Sequence, residues 1–174
     1  MKDMIRYGLT LGVICVVASA SLAVVHSLAQ PRIAASALSE EEASLKDVLP
    51  EADHFEPVKA NNDILYYKAF DLNDRKMGIA FKAKGKGYSS TVETMVGMSA
   101  QGEILAIKVL SQNETPGLGA NVAEPDFAAR FSQKSIEDLN EVQAVTGATI
   151  SSRAVIDSVA EKAEEILGLL KDER

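Results

Sequence analysis

Residues 64–110 read ILYYKAFDLNDRKMGIAFKAKGKGYSSTVETMVGMSAQGEILAIKVL, and this stretch indicates the fold class. It contains four short runs rich in β-branched, aromatic and other apolar residues, which is typical of β-strands. Asp, Asn and Gly, which favour tight turns, separate the members of each pair. The sequence therefore predicts two β-hairpins, whose four antiparallel strands form one sheet: 64–70 with 77–81, and 91–99 with 104–110.

Helices are predicted on both sides of these strands. Residues 152–170 carry apolar side chains at helical spacing, and residues 122–131 have a mixture of apolar and polar residues that suits a helix. Before the strands, Ser39 and Glu42 have capping-box spacing, and Pro50 limits the far end of that helix. We therefore expect an α+β fold, in which helices pack on an antiparallel sheet.

An uncharged apolar run precedes this domain. Residues 7–28 read YGLTLGVICVVASASLAVVHSL, and about 20 such residues allow a helix to cross the hydrocarbon core of a membrane. Lys2 and Arg6 precede the run, which favours a cytoplasmic N-terminus. A cleaved signal peptide is the alternative, because residues 27–29 and 35–37 offer cleavage-like spacing, but the run is longer than the roughly 7–15 apolar residues of a signal peptide.

We therefore expect a single-pass protein of the cytoplasmic (inner) membrane whose C-terminal domain is extracytoplasmic. The expected divisions are a membrane anchor at 1–29, a linker at 30–38 and one domain at 39–174.

Charge and cysteine content exclude several function classes. The chain has 18 Lys and Arg against 25 Asp and Glu, so nucleic acid is not expected as a partner, because its phosphates must be neutralised by basic residues. Cys15 is the only cysteine, which excludes an intramolecular disulfide and leaves too few thiolates for a zinc or iron-sulfur site. His26 and His54 do not form a cluster. Any redox chemistry must therefore use an organic cofactor, and no metal site is expected.

Two motifs and one loop are candidates for a ligand site. NETPGLG (113–119) follows the fourth predicted strand, and its Pro and Gly residues permit turns that bring backbone N–H groups close to a ligand; a purely structural turn is the alternative. A dinucleotide fingerprint is rejected, because Val122 occupies the place of its third glycine. For the basic loop KAKGKGYSS (82–90), a solvated turn and a position near the ligand both remain open.

The second motif, TGATISS (146–152), directly precedes the predicted terminal helix. Its small residues allow a ligand to approach the backbone, and a helix N-terminus presents unpaired N–H groups to an anion. These features suit a phosphate group. The alternative is a plain helix cap by Ser151 or Ser152.

The second motif resembles the signature of FMN-binding domains in which a flavin transferase moves FMN from FAD onto a hydroxyl group. That signature is Ser or Thr, Gly, Ala, Thr, any residue, then an acceptor Thr or Ser, and Ser151 stands at the acceptor position, where Thr is usual. ETPGLG (114–119) resembles the family's second hallmark, as found in Rnf G subunits and in C subunits of sodium-pumping NADH:quinone reductases. The resemblance covers nearly the whole chain. An Asp often found ahead of the signature is missing, and Glu141 is the nearest acid.

The resemblance implies FMN held by a phosphoester on Ser151, with Thr146 and Thr149 bonding the phosphate or ribityl chain and the loop at 114–119 packing against the ring. The implied cofactor-binding residues are Ser151, Thr146, Gly147, Ala148, Thr149, Glu114, Thr115, Pro116, Gly117, Leu118 and Gly119. No catalytic residue is expected.

The function implied by the resemblance is a membrane-anchored electron carrier in an ion-translocating ferredoxin:NAD oxidoreductase complex. Such a subunit is not catalytic alone, and its partners are the other membrane and redox subunits, with a flavin transferase for maturation. The alternatives are a stand-alone extracytoplasmic FMN-dependent reductase, a C-type subunit of a sodium-pumping NADH:quinone reductase, and a tethered module without a cofactor.

Overall fold

One long helix, α1, occupies Lys2–Val48 in the computed structural model, which describes residues 2–60 and 63–172. Among the described residues, α1 is the one helix that is long and apolar enough to cross a membrane. The predicted helix start at Ser39 is wrong, because α1 continues through this residue without a break. Three of the nine residues at 30–38 are alanine, the strongest helix former, and α1 continues through this stretch although Pro31 lies inside it. The predicted end before Pro50 is confirmed.

The chain divides into two compact units, Met1–Glu40 and Glu41–Arg174. The first unit contains the apolar part of α1, whose large apolar side chains are exposed in the structure. The second contains the last turns of α1, the sheet and the remaining helices. The finer division into an anchor, a linker and a domain stays a prediction.

The second unit is built on one antiparallel sheet in which five strands are paired in sequence order. The strands are β1 His54–Ala60, β2 Asp63–Phe70, β3 Lys76–Lys86, β4 Thr91–Ser99 and β5 Ile104–Ser111. The four predicted strands are present, but the predicted number is wrong because β1 was missed. Its sequence HFEPVKA contains Pro57, which indicates against a central strand but is tolerated at the edge position that β1 occupies.

The strand β3 is longer than predicted. It continues to Lys86, so most of the basic stretch at 82–90 is strand, and only residues 87–90 connect β3 to β4. The prediction of a loop over the whole stretch is therefore wrong. In the segment KAKGK, buried Ala83 and Gly85 alternate with more exposed lysines, which is the two-residue period of a strand with one covered face.

The two faces of the sheet contribute to different apolar clusters. The larger cluster contains Phe81 and Val96 from the sheet together with Val155, Ile156 and other residues of α3, which spans Thr149–Asp172. The smaller cluster contains Ala80 and Met95 of the sheet together with Leu45 and Val48 of α1. Ala80 and Met95 each lie next in sequence to a member of the larger cluster, so their side chains point to the opposite face of the sheet. The predicted α+β fold, with helices packed on an antiparallel sheet, is confirmed.

The helix predicted at 122–131 is instead a series of short turns. A 3-10 turn at Gly119–Ala123 is followed by α2, Pro125–Ala128, and a second 3-10 turn at Ala129–Phe131. Pro125 begins α2 because the missing N–H of proline is tolerated at a first helical position but cannot continue a preceding turn. Val122, Phe127 and Phe131 still point into the larger cluster, as a helix would have placed them. A further 3-10 turn occupies Glu137–Glu141.

Candidate functional site

The second motif forms a tight turn and the first residues of α3. The helix begins at Thr149, earlier than predicted, so Thr149 and Ser151 lie in its first turn. Gly147 has φ +80°, a conformation that favours glycine, and the Ala148 N–H donates to the carbonyl of Val145 at 2.9 Å. The motif is therefore ordered by its own backbone geometry.

The two serines of the motif have different partners. The Ser152 hydroxyl oxygen accepts a hydrogen bond from the backbone N–H of Val145 at 3.0 Å, which ties the incoming turn to the helix. The Ser151 hydroxyl instead donates to the Oε2 atom of Glu114 at 2.7 Å. Ser151 is therefore not a plain helix cap, because its hydroxyl donates to a side chain of the other motif.

The first motif is a compact loop after β5. Gly117 has φ +75°, and the N–H groups of Leu118 and Ala120 both donate to the carbonyl of Thr115, at 3.1 and 3.2 Å. This loop brings Glu114 against the start of α3, although 37 residues separate it from Ser151. The two motifs form one site.

The Glu114 carboxylate is buried and receives five hydrogen bonds. Its Oε2 atom accepts from the Ser151 hydroxyl and from the Tyr88 N–H at 3.2 Å. Its Oε1 atom accepts from the backbone N–H groups of Ser89 and Ser90, at 3.0 and 2.8 Å, and from the Ser90 hydroxyl at 3.2 Å. Only 6% of the surface of Glu114 and 1% of that of Ser151 are exposed. The turn between β3 and β4 therefore completes the site.

These contacts set the charge of Glu114. Burial of the carboxyl group raises its pKa, but the hydrogen bonds from Ser151, Ser90 and Ser89 have the larger combined effect and hold the pKa at about 2. Glu114 is therefore an anion throughout the physiological pH range.

Two glycines leave the space that this arrangement needs. A Cβ atom added to Gly119 would lie 2.6 Å from Oε2 of Glu114 and 2.7 Å from Oγ of Ser151. A Cβ atom on Gly87 would lie 2.6 Å from Oε1 of Glu114. Any larger residue at either position would displace the carboxylate or the hydroxyl group.

A surface cavity of about 410 Å³ opens beside the Ser151–Glu114 pair. It brings together most of the residues predicted from the two motifs: Glu114, Thr115, Leu118, Gly119, Gly147, Ala148, Thr149 and Ser151. The predicted residues Thr146, Pro116 and Gly117 are not part of its lining. The cavity is therefore built from both motifs.

Two lining residues were not predicted, Tyr88 and Ile150. Together with Leu118, they expose apolar side chains at the cavity. The exposed fraction is 74% for Tyr88, 56% for Ile150 and 48% for Leu118. Tyr88 lies in the glycine-containing basic stretch at 82–90, whose sequence is compatible with a position near the ligand. Exposed apolar side chains beside a hydroxyl group at a helix N-terminus suit a ligand with a flat ring and a phosphate, and FMN has both.

Comparison with known families agrees with this chemistry. Residues 87–164 match the FMN-binding domain family, and residues 1–48 match the RnfG N-terminal region. The chain is 30% identical to the G subunit of the ion-translocating oxidoreductase complex of Methanosarcina acetivorans, over 91% of this chain and 92% of the relative. The chain belongs to this family of G subunits. The resemblance predicted from the two motifs is confirmed.

Two further comparisons extend this result. The protein is 28% identical to the G subunit of the proton-translocating ferredoxin:NAD(+) oxidoreductase complex of Clostridium ljungdahlii, over 90% of this chain and 88% of the relative. Its structure is similar to that of NqrC from Shewanella oneidensis, with a TM-score of 0.50 and 21% identity over 66% of each chain. The likeness to NqrC supports the α+β fold.

Proposed function

We propose that this G subunit carries electrons through FMN attached to Ser151, within an ion-translocating ferredoxin:NAD(+) oxidoreductase complex. The observation that carries the proposal is the cavity in which the two motifs meet at the hydroxyl of Ser151. The match of residues 87–164 to the FMN-binding domain family and the names of the relatives support it.

The cofactor, when bound, supplies one-electron and two-electron chemistry, and the protein provides its position and surroundings. The Ser151 oxygen is the tether, through a phosphoester that prevents loss of the cofactor from an exposed site. Thr149, which lines the cavity, hydrogen-bonds the phosphate or the ribityl chain. The exposed side chains of Leu118, Ile150 and Tyr88 provide an apolar surface for the ring.

The proposal includes the cellular setting. The helix α1 anchors the chain in the cytoplasmic membrane with its N-terminus inside, and the second unit lies outside the cytoplasm. The other membrane and redox subunits of the complex are its partners, since a single span with no Asp, Glu, Lys or Arg at residues 7–28 offers no evident route for an ion. A flavin transferase attaches the cofactor.

A stand-alone reductase is the second candidate, and the electrostatics of the site argue against it. A reductase that protonates its substrate needs a proton donor beside the flavin, with a pKa near the working pH. Glu114 is the acidic residue that lines the cavity, and its pKa of about 2 leaves no proton to donate at neutral pH. The ionised state of Glu114 therefore argues against this carboxyl group as the proton donor of a reductase.

The test is flavin fluorescence of the full chain after co-expression with a flavin transferase and denaturation in SDS. We expect a fluorescent band for wild type and for Ser158→Ala, and a dark band for Ser151→Ala. Ser158 is a matched control, because it is also a buried serine of α3, but its hydroxyl donates to the carbonyl of Val155. A dark wild-type band would rule out the covalent link, and a fluorescent Ser151→Ala band would place it on another residue.

A further inference from the structure

We propose that Glu114 is a positioning residue that holds the Ser151 hydroxyl in the orientation needed for attachment of the flavin. This inference rests on the proposed function, because it concerns how the tether is made. Glu114, the acidic residue of the first motif, thereby acts during maturation of the protein, when the flavin is attached, and not during electron transfer.

The hydroxyl of Ser151 has an unusual partner for a serine in a helix. Helical serines commonly donate to a carbonyl three or four residues earlier, as Ser158 does to Val155 at 3.1 Å. Ser151 instead donates to Glu114, across the gap between α3 and the loop after β5. A rotatable hydroxyl group is thereby fixed in one direction by a charged acceptor, and such hydrogen bonds are stronger than those between neutral groups.

Glu114 is itself rigidly held. Three successive backbone N–H groups, from Tyr88 to Ser90, donate to its two oxygens, and they belong to a short turn between paired strands. Gly87 and Gly119 approach so closely that even a methyl group at either position would collide with the carboxylate. The carboxylate is therefore a fixed point against which the hydroxyl is oriented.

In the transfer, the Oγ–H bond of Ser151 and the pyrophosphate bond of FAD break, an Oγ–P bond forms, and AMP leaves. The hydroxyl proton is released to solvent. A carboxylate with a pKa of about 2 is too weak a base to retain that proton or to drive its removal. The contribution of Glu114 is therefore alignment of the nucleophile, which the transferase needs for in-line attack.

The experiment measures steady-state flavin transfer from FAD to the full chain in detergent, with a purified transferase and the chain as the varied substrate. In Glu114→Gln, the new NH₂ group must face N–H or O–H donors, because both oxygens of Glu114 accept hydrogen bonds. We expect kcat to fall about 10-fold to 100-fold with KM for the chain unchanged, since the orientation is lost but the docking surface is retained. Glu124→Gln, a change at an exposed carboxylate, is the matched control and is expected to behave as wild type.

A second variant keeps the side chains of both Ser151 and Glu114. Gly119→Ala separates Ser151 from Glu114 by steric contact alone, and we expect the same fall in kcat. Its control is Gly168→Ala, since nothing lies within 4 Å of a Cβ atom at that position. If Glu114→Gln does not fold, as judged by thermal melting, Gly119→Ala decides the question.

The outcomes separate this inference from the proposed function. Wild-type rates in folded Glu114→Gln or Gly119→Ala, or a rise in KM at constant kcat, would overturn the positioning role and leave the tether intact. Wild-type chain that accepts no flavin would overturn both proposals together. A fall in kcat in these variants, with modification still confined to Ser151, supports both.

Discussion

Gly85 of β3 and Ala154 of α3 are in direct backbone contact: a Cβ atom added to Gly85 would lie 2.0 Å from the carbonyl oxygen of Ala154. Glycine is needed there because the obstacle is backbone, which cannot rotate away. Ala154 lies one helical turn after Ser151, so the contact fixes the height of the start of α3 above the sheet. Ser151 is therefore positioned by a strand that is remote from it in sequence.

We expect Gly85→Ala to destabilise the second unit by about 1–3 kcal/mol or more, because α3 must move away from β3 and part of the larger apolar cluster opens. Urea unfolding followed by circular dichroism measures the loss. Gly168→Ala is the control and should be neutral or slightly stabilising, since alanine is favoured in a helix and has free space there. Equal stability of wild type and Gly85→Ala would contradict the observed close packing.

The low pKa of Glu114 predicts an acid-dependent loss of stability. A carboxyl group ordinarily titrates near 4.5 in the unfolded chain, and in the folded chain Glu114 titrates at about 2. The folded state is therefore favoured by the ionised group above pH 4.5, and that contribution is lost as the pH falls from about 4.5 to about 2.

Glu114→Gln isolates this contribution from those of other acids, such as Asp71, whose pKa is lowered to about 2 by hydrogen bonds from Arg75 and Asn73. We expect the variant to be less stable than wild type at neutral pH, and the gap to narrow as the pH is lowered through this window. The difference in stability between the two proteins is measured from their melting temperatures at a series of pH values. A gap that is constant from pH 6 to pH 2.5 would show that the ionised carboxylate does not contribute.

Local patterns in the sequence predicted most of the sheet, but not its whole extent. The alternation of Ala83 and Gly85 with lysines is a strand signal, yet three lysines in five residues gave the appearance of a solvated loop. β1 was missed because Pro57 and charged side chains are compatible with a strand only at an edge, and edge position is a property of the assembled sheet. The helix start at Ser39 was wrong because helix propensity over a long segment outweighs one local capping pattern.

The sequence predicts the parts of the site that lie within a single contiguous motif, but not the contacts between segments that are distant in sequence. Both motifs line one cavity, as the resemblance implied, but the hydrogen bond between Ser151 and Glu114 depends on how α3 packs on the sheet and on where the loop after β5 leaves it. The backbone donors from Tyr88 to Ser90 could not be found by residue type, because N–H groups are present at nearly every position. These N–H groups act together only because the turn after β3 points all three of them at the carboxylate of Glu114.

Ser152→Ala tests the separate structural role of the second serine in the motif. The variant loses the hydrogen bond from the partly buried Val145 N–H, so we expect a loss of about 1 kcal/mol in stability. Flavin attachment should continue, because Ser151 and its partner Glu114 are unchanged. Urea unfolding and in-gel fluorescence of the same preparation give both readouts. Complete loss of flavin in a folded Ser152→Ala chain would show that the two serines do not have separate roles.

Thr94 offers a substitution that is expected to stabilise the chain. Its side chain is buried in β4, and its Oγ1 atom has no hydrogen-bond partner among the described residues. Its neighbours across the sheet are Ala83 and Val109, which offer no side-chain acceptor. A buried hydroxyl without a partner costs free energy that a methyl group of similar size does not. We expect Thr94→Val to be as stable as wild type or up to about 2 kcal/mol more stable, since valine is also favoured in strands.

The control for this substitution is Thr94→Ser, which keeps the hydroxyl group and removes the methyl group. We expect that variant to be less stable by about 1 kcal/mol, because it loses apolar contact and gains nothing in return. Urea unfolding of all three chains gives the comparison. A clear loss of stability in Thr94→Val would mean that the hydroxyl has a partner, such as an enclosed water molecule, and the buried face of β4 beneath α3 would then contain a polar site.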